Sequence, residues 1–310
     1  MRRAIALIGL ALASAGCIRA YATGAVADAL SGSGGVYATD DDPELIEGAV
    51  PFGLKTMEAV LVQQPEHRGL LTALASGFVQ YGVAFVSMPA DLVAVSDLAR
   101  SQEMKLRARR LFLRARDYGL RGLEVEHEHF QEALRTDAAR ALLATELEDV
   151  PLLYWTAAAW GSAVAADKTD TQMIADLPIV QALADRAMTL DPSWNRGALH
   201  ELFITLETVR PGGTHEKARE HFQRALELSG ATRAGPFVSL AEDVSVQEQN
   251  LTEFRQLLER ALAIDVQAHP EDRLANVIMQ RRARWLLARV ADLFLDSGEE
   301  EAVDPAPPTP

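Results

Sequence analysis

The sequence predicts an all-α fold, arranged as an α-solenoid of helical hairpins, and three observations support this prediction. The chain is 48% apolar and rich in Ala, Leu, Arg and Glu, which are strong helix formers. Alternating Val/Ile/Thr runs bounded by Asn-Gly or Asp-Gly turns, which mark β-hairpins, are missing from the sequence. A short apolar motif also recurs at intervals close to the length of a two-helix repeat.

The recurring motif places an aromatic or aliphatic residue four positions after a first apolar residue, and an alanine three positions later. Its four copies end at Ala115, Ala187, Ala225 and Ala261, so the intervals are 72, 38 and 36 residues. A tetratricopeptide (TPR) unit of about 34 residues carries Ala, an aromatic residue and Ala at this spacing in its second helix. The first interval fits two units, one of them degenerate. We therefore predict degenerate TPR-like hairpins, which can enclose a pore or cleft.

The amino terminus predicts export and lipid attachment. A basic start precedes the uncharged apolar run 4–15, which is too short to cross a hydrocarbon core of about 30 Å. The run leads to Cys17, the sole cysteine, in a sequence that resembles a bacterial lipobox, although Ser14 stands where Leu is usual. We predict a signal peptide over 1–16 and acylation of Cys17, with a plain secretory signal as the alternative. Ile18 after the cysteine favours a periplasm-facing position at the outer membrane.

The remaining boundaries follow from Gly, Pro and charge. Residues 17–50 are predicted to be a lipidated, flexible lead, 51–296 the solenoid, and 297–310 a disordered, acidic, Pro-rich tail. Pro and Gly between apolar-periodic stretches delimit the helices within the solenoid. The predicted helices span 54–63, 67–87, 91–117, 122–134, 136–148, 152–166, 172–190, 194–209, 215–228, 236–247, 251–264 and 271–296.

One internal stretch is long enough to be considered as a membrane span. Residues 70–90 contain no charged side chain, but Thr72, Ser76 and Gln80 dilute their hydrophobicity and Pro89 ends the stretch. A buried helix of the solenoid is therefore the favoured interpretation.

Charge and motifs exclude several functional classes. The net charge of −14 becomes −16 once the two signal-peptide arginines are removed (28 Lys+Arg against 44 Asp+Glu), so the chain should repel nucleic acid. His200-Glu201 begins like an HExxH zinc motif but lacks the second histidine. His127 and His129 lie on roughly opposite sides of a helix, which disfavours a shared metal. We expect no enzymatic activity, no cofactor and no metal.

Aromatic residues supply the first candidate binding surface. Trp155 and Trp160 lie about 140° apart around one helix, so they cannot fill the same groove. Either both belong to the core, or one lines a cleft that would hold an apolar or amphipathic ligand. The candidate wall comprises Tyr154, Trp155, Trp160, Trp194, Asn195, His200 and Phe203.

Arg281, Arg282 and Trp285 form the second candidate surface, in a basic patch of the last helix. Arg281 precedes Trp285 by four residues, so the two side chains can stack on one face. Two interpretations stay open for the arginines. They form salt bridges to acidic neighbours, or they present a carboxylate-binding edge to a ligand cleft, because guanidinium groups suit carboxylates.

Segments along nearly the whole mature chain resemble the TatT proteins, TPR-like lipoproteins associated with TRAP (tripartite ATP-independent periplasmic) transporters. The segments that carry the resemblance are 40–45, 51–55, 80–85, 153–161, 212–226 and 273–287. The resemblance implies an α-solenoid pierced by a ligand-sized pore. It also implies a homotrimer that docks the periplasmic solute-binding protein of a TRAP transporter.

Two functions follow as expectations. In the first, the protein is an accessory subunit of a TRAP-type system that binds a small organic or hydrophobic ligand and docks a solute-binding protein. In the second, it is a TPR scaffold lipoprotein that assembles envelope proteins and binds no small molecule.

Overall fold

A computed structural model describes residues 24–32 and 34–295 of the chain. Within these ranges every regular element is helical and no strand occurs, which confirms the predicted all-α class. The predicted signal peptide, the acylation site Cys17 and the tail 297–310 lie outside the described residues.

The helices are mostly short and follow one another closely. They are α1 (24–31), α2 (Gly34–Ala38), α3 (Pro43–Leu61), α4 (Arg68–Gly82), α5 (Met88–Val93), α6 (Leu98–Glu124), α7 (Phe130–Thr136), α8 (Ala138–Leu142), α9 (Val150–Ala166), α10 (Thr171–Ala175), α11 (Leu177–Leu190), α12 (Trp194–Val209), α13 (His215–Ser229), α14 (Gly235–Leu240), α15 (Leu251–Leu262), α16 (Arg273–Leu287) and α17 (Val290–Leu293). Two π-helical turns, Val83–Ser87 and Ala241–Ser245, follow α4 and α14.

Each long helix packs mainly against helices that are near it in sequence. Helix α4 lies between α3 and α6, α6 packs on α9, and α9 packs on α11; α12 packs on α13, and α15 on α16. The motif alanines Ala115, Ala187, Ala225 and Ala261 are buried, because small residues let neighbouring helices approach closely. Such packing is what a solenoid of hairpins requires, and the TPR assignment itself stays a prediction.

Two hydrophobic clusters make up the core, and α12 joins them. Leu199, Phe203 and Leu206 of α12 pack into the amino-terminal cluster. Ile204 of the same helix packs into the carboxy-terminal cluster. Helix α12 is therefore shared by the two halves of the fold.

The two ends of the fold meet, and we call this contact between α2–α3 and α16 the seam. Arg273 Nη1 donates to the Thr39 carbonyl at 2.8 Å. Arg281 Nη2 donates to Glu44 Oε2 at 3.1 Å, between residues 237 apart in sequence. The chain of helices consequently closes on itself.

Ordered structure begins earlier than the predicted boundary at residue 51, which lies inside α3. The Asp42 side chain accepts a hydrogen bond from the Leu45 amide at 2.9 Å and Pro43 occupies the first turn. Both features favour a helix start. Ala27 of α1 is fully buried, so part of the predicted lead packs on the core.

The run Arg68–Val93 is long and apolar enough to cross a membrane by length and composition, and half of its most apolar window is buried. Leu70, Leu71 and Leu74 are fully buried in the amino-terminal cluster. Arg68 at its start forms an ion pair with Asp149. This packing agrees with the prediction of a buried helix.

Several predicted helices have different bounds for local reasons. Asn195, Arg196 and Gly197 have φ of 45°, 56° and 92°, so the regular part of α12 starts after them and not at residue 194. A Cβ on Gly197 would lie 3.3 Å from Ala225 Cα, and glycine relieves both the crowding and the positive φ. His129, with φ of 61°, likewise interrupts the predicted helix 122–134.

Candidate ligand cavity

A cavity of about 250 Å³ lies at the seam. It is formed by the start of α3, the π-helical turn after α4, helix α5 and one face of α16. Its lining residues are Pro43, Glu44, Glu47, Ala84, Phe85, Met88, Pro89, Leu92, Ile278, Arg281 and Arg282. A mostly apolar wall with a few charged groups is typical of small-molecule sites.

The two π-helical turns position important side chains of this site. In the turn Val83–Ser87, Val86 is buried in the core, whereas Phe85 lines the cavity and packs against Tyr81 with ring centroids 5.6 Å apart. The turn Ala241–Ser245 supplies Glu242, which binds Arg282. Single π-helical turns occur frequently at functional sites.

Arg281 is held across the seam by Glu44. Its Nη1 and Nη2 atoms donate to the two carboxylate oxygens of Glu44. The hydrogen bond from Arg281 lowers the pKa of Glu44, and the same bond raises the pKa of Arg281. Both terminal nitrogens of the guanidinium group thus already bind a carboxylate of the chain.

Arg282 is more deeply buried and binds two carboxylates. Its Nε donates to Glu242 Oε2 at 3.1 Å, and its Nη2 lies 3.2 Å from Asp91 Oδ2. Lys105 Nζ lies 3.0 Å from the other oxygen of Asp91. Burial acts to lower the pKa of Arg282, but Glu242 and Asp91 outweigh it and the pKa is raised.

The predicted stacking of Arg281 on Trp285 is wrong. Trp285 instead lies against Arg282, at 4.2 Å from the guanidinium carbon to the ring centroid, and against Arg289, at 4.8 Å. Arg281 is unavailable because Glu44 binds it from the opposite side of the seam. Of the two interpretations left open by the sequence, the structure shows salt bridging for both Arg281 and Arg282.

Comparison with known proteins assigns the chain to a family. A family model described as TRAP transporter T-component matches residues 39–294, a range that includes all the helices of the cavity. The chain belongs to this family. The resemblance found in the sequence is thereby confirmed, and a T-component has an accessory role in TRAP transport. An uncharacterized protein of Treponema pallidum (strain Nichols) is 31% identical over 268 residues, which cover 84% of this chain and 83% of the relative.

Three of the predicted aromatic residues of this T-component lie together. The Tyr154 ring is 4.8 Å from Trp155 and 4.7 Å from Trp194, centroid to centroid. All three side chains are partly buried against the amino-terminal cluster. Burial raises the pKa of Tyr154, and the nearby Glu201 carboxylate adds to this effect.

The other predicted wall residues are not part of this aromatic group. Trp160 is 1% exposed and belongs to the core, a position that is compatible with both of the alternatives that the sequence left open. His200 and Phe203 are buried and pack against His221 of α13. They do not extend the wall from Trp194, because the left-handed turn after Trp194 breaks the helical register.

His200 and Asn195 have structural partners instead. His200 Nδ1 lies 2.8 Å from His221 Nδ1. Burial lowers the pKa of His200 to about 4 and also lowers the pKa of His221, so the pair is uncharged at neutral pH. The Asn195 carbonyl accepts a hydrogen bond from Arg233 Nη1 at 2.8 Å.

Near Arg282, the T-component carries a carboxyl group with a shifted pKa. Asp243 Oδ2 accepts a hydrogen bond from the Thr205 hydroxyl at 2.5 Å. Burial raises the pKa of Asp243 to about 6, and the adjacent Glu242 contributes to the increase. Among the described residues no group of three or more His, Cys, Asp or Glu could hold a metal ion.

Sequence analysis did not single out the apolar wall of the cavity, formed by Phe85, Met88, Leu92 and Ile278. These residues resemble core positions in any helical pattern. One feature of the sequence could have indicated the cavity. Pro89 ends the charge-free stretch, although apolar residues such as Leu92 follow it.

Proposed function

We propose that this T-component binds a small organic or hydrophobic molecule in the seam cavity and docks the solute-binding protein of a TRAP transporter. In this proposal it acts without catalysis, faces the periplasm as a homotrimer and is anchored through acylated Cys17. The observation that carries the proposal is the apolar cavity at the seam, within the residues that match the family.

The size of the cavity suits a small molecule. An apolar cavity of about 150 Å³ in a protein core accepts benzene. By proportion, 250 Å³ accommodates roughly ten non-hydrogen atoms. Phe85, Met88 and Leu92 would contact the apolar part of such a ligand, which favours binding by burying surface from water.

An exposed apolar stripe on α3 supports docking of the solute-binding protein. Leu45 and Phe52 are 59% and 78% exposed, and their spacing of seven residues places them on one face of the helix. The same helix supplies Glu44 and Glu47 to the cavity. A protein bound to this stripe would therefore lie next to the cavity, where it could receive the ligand.

Mass spectrometry of molecules retained by the purified protein tests ligand binding. Met88→Trp should fill the cavity and abolish retention, whereas Leu106→Trp, on the exposed face of α6, is the matched control and should retain the ligand. Circular dichroism melts confirm that both variants fold. Equal retention by both variants would place the ligand elsewhere.

The scaffold function is the second candidate, and the exposed stripe on α3 is the observation that favours it. A protein that retains no small molecule, yet co-purifies with an envelope protein in a manner abolished by Phe52→Ser, would support the scaffold and contradict the ligand-binding proposal.

A further inference from the structure

Both arginines that line the cavity are neutralised by carboxylates of the chain itself. Glu44 occupies both terminal nitrogens of Arg281. Glu242 and Asp91 occupy Nε and Nη2 of Arg282. An arginine recognises a carboxylate ligand best through a pair of parallel N–H groups. The terminal pair of Arg281 and the Nε–Nη2 pair of Arg282 already bind carboxylates. Among the described residues Arg282 Nη1 has no hydrogen-bond partner, so it offers a single donor nitrogen to the oxygen of a ligand.

The remaining charges make the cavity unfavourable for an anion. Glu47 also lines it and has no ion-pair partner among the residues that the structure describes. The lining residues and their direct ion-pair partners comprise two cations (Arg281 and Arg282) and four carboxylates (Glu44, Glu47, Asp91 and Glu242). Lys105, which pairs with Asp91, adds a third cation and leaves the set with a net negative charge. An anionic ligand would add a like charge to this set, and like charges brought together at a binding site weaken binding.

We propose that the cavity selects uncharged amphipathic molecules, such as medium-chain alcohols, ketones or amides, and excludes organic anions of the same size. This inference rests on the proposed ligand-binding function. The hydroxyl or carbonyl oxygen of the ligand accepts a hydrogen bond from Arg282 Nη1, which has no partner among the described residues. Its apolar body contacts Phe85, Met88 and Ile278.

Glu44 determines this selectivity, because it occupies the position that a ligand carboxylate would need on Arg281. Glu44→Gln keeps the size of the side chain but removes its charge. The carboxamide offers Arg281 one acceptor oxygen instead of two, so the substitution weakens this contact and changes the charge balance of the cavity in favour of an anion. A single substitution at the seam should therefore convert an anion-excluding cavity into one that accepts a carboxylate.

The experiment compares octanol with octanoate, which match in length and in their roughly ten non-hydrogen atoms. Calorimetric titrations at neutral pH use the soluble Cys17→Ser chain, alone and with Glu44→Gln. Glu103→Gln is the matched control, because it removes an exposed Arg100–Glu103 pair outside the cavity lining. We expect the parent chain to bind octanol at least about tenfold more tightly than octanoate. Glu44→Gln should tighten octanoate binding about tenfold, and Glu103→Gln should behave like the parent.

Each result has a distinct meaning. Equal binding of octanol and octanoate by the parent chain would overturn the charge selectivity and leave ligand binding standing. Octanoate binding unchanged by Glu44→Gln would overturn the role of Glu44. Failure of both probes, with other molecules still retained by the protein, would overturn the ligand class. If no molecule is retained either, the proposed function fails as well.

Discussion

Replacing Arg282 by methionine should lower the free energy of unfolding by about 2–3 kcal/mol. Methionine keeps the apolar stem but leaves Glu242 and Asp91 without their shared cation. Removing one partner of a fully buried ion pair costs about 3–5 kcal/mol. Here the two carboxylate side chains are 34% and 30% exposed, so solvent screening reduces this contribution to about 2 kcal/mol. Loss of the cation–π contact with Trp285 adds about 0.5–1 kcal/mol.

Urea unfolding followed by circular dichroism measures the effect, with Arg289→Met as the control. Arg289 also stacks on Trp285, at 4.8 Å, but its carboxylate partner Asp292 is well exposed, so this variant should lose less than about 1 kcal/mol. Equal deficits in the two variants would refute the assigned role of Arg282.

Three further predictions address anchoring, pH dependence and the tryptophans. Cys17→Ser should move the protein from the membrane fraction to the soluble periplasmic fraction, as measured by fractionation and immunoblotting; an unchanged distribution would contradict acylation. The pKa of Asp243 is raised to about 6 from 3.8, so the folded state binds its proton more tightly and stability should fall as pH rises from about 4 to 6. In chemical unfolding experiments between about pH 4 and pH 6, the free energy of unfolding should decline less steeply with pH in Asp243→Asn than in the parent chain. Identical slopes in the two proteins would refute the raised pKa of Asp243. Trp160→Ala should lower the free energy of unfolding by about 3–5 kcal/mol, because it truncates a core side chain. Trp155→Ala should lower it less, because Trp155 is only partly buried. Equal losses of stability in thermal melts would show that both are core residues.

Local sequence patterns were sufficient to predict the helical class and much of the packing. The motif residues Ala108, Phe112 and Ala115 are all buried, as their helical spacing indicated. The charge-free stretch 70–90 forms a packed helix because Leu70 and Leu74 recur on one face. In these cases the buried positions recur along a single helix, so the helical spacing of apolar residues is sufficient to predict them.

The cavity could not be predicted in the same way, because its contacts join distant parts of the chain. Trp285 lies at a spacing that suits stacking on Arg281. Nothing in the local sequence indicates that Arg281 binds Glu44 instead. The left-handed residues Asn195 and Arg196 also break a helix whose sequence looks continuous. Sequence analysis therefore named both arginines but assigned Arg281 the wrong partner.

Because the two ends of the fold meet at the seam, the cavity can form only at a late stage of folding. Its walls come from α3, α5 and α16, whose residues Glu44 and Arg281 are 237 positions apart. Contacts of such high sequence separation carry a large loop-closure entropy, and they form late in folding. Apart from α5, helices α3 to α11 contribute residues to the amino-terminal cluster, so they have a core to pack around before α16 is synthesised. A chain that ends before α16 would keep that core and lack the cavity. The ligand binding proposed above would therefore require that synthesis and folding are complete.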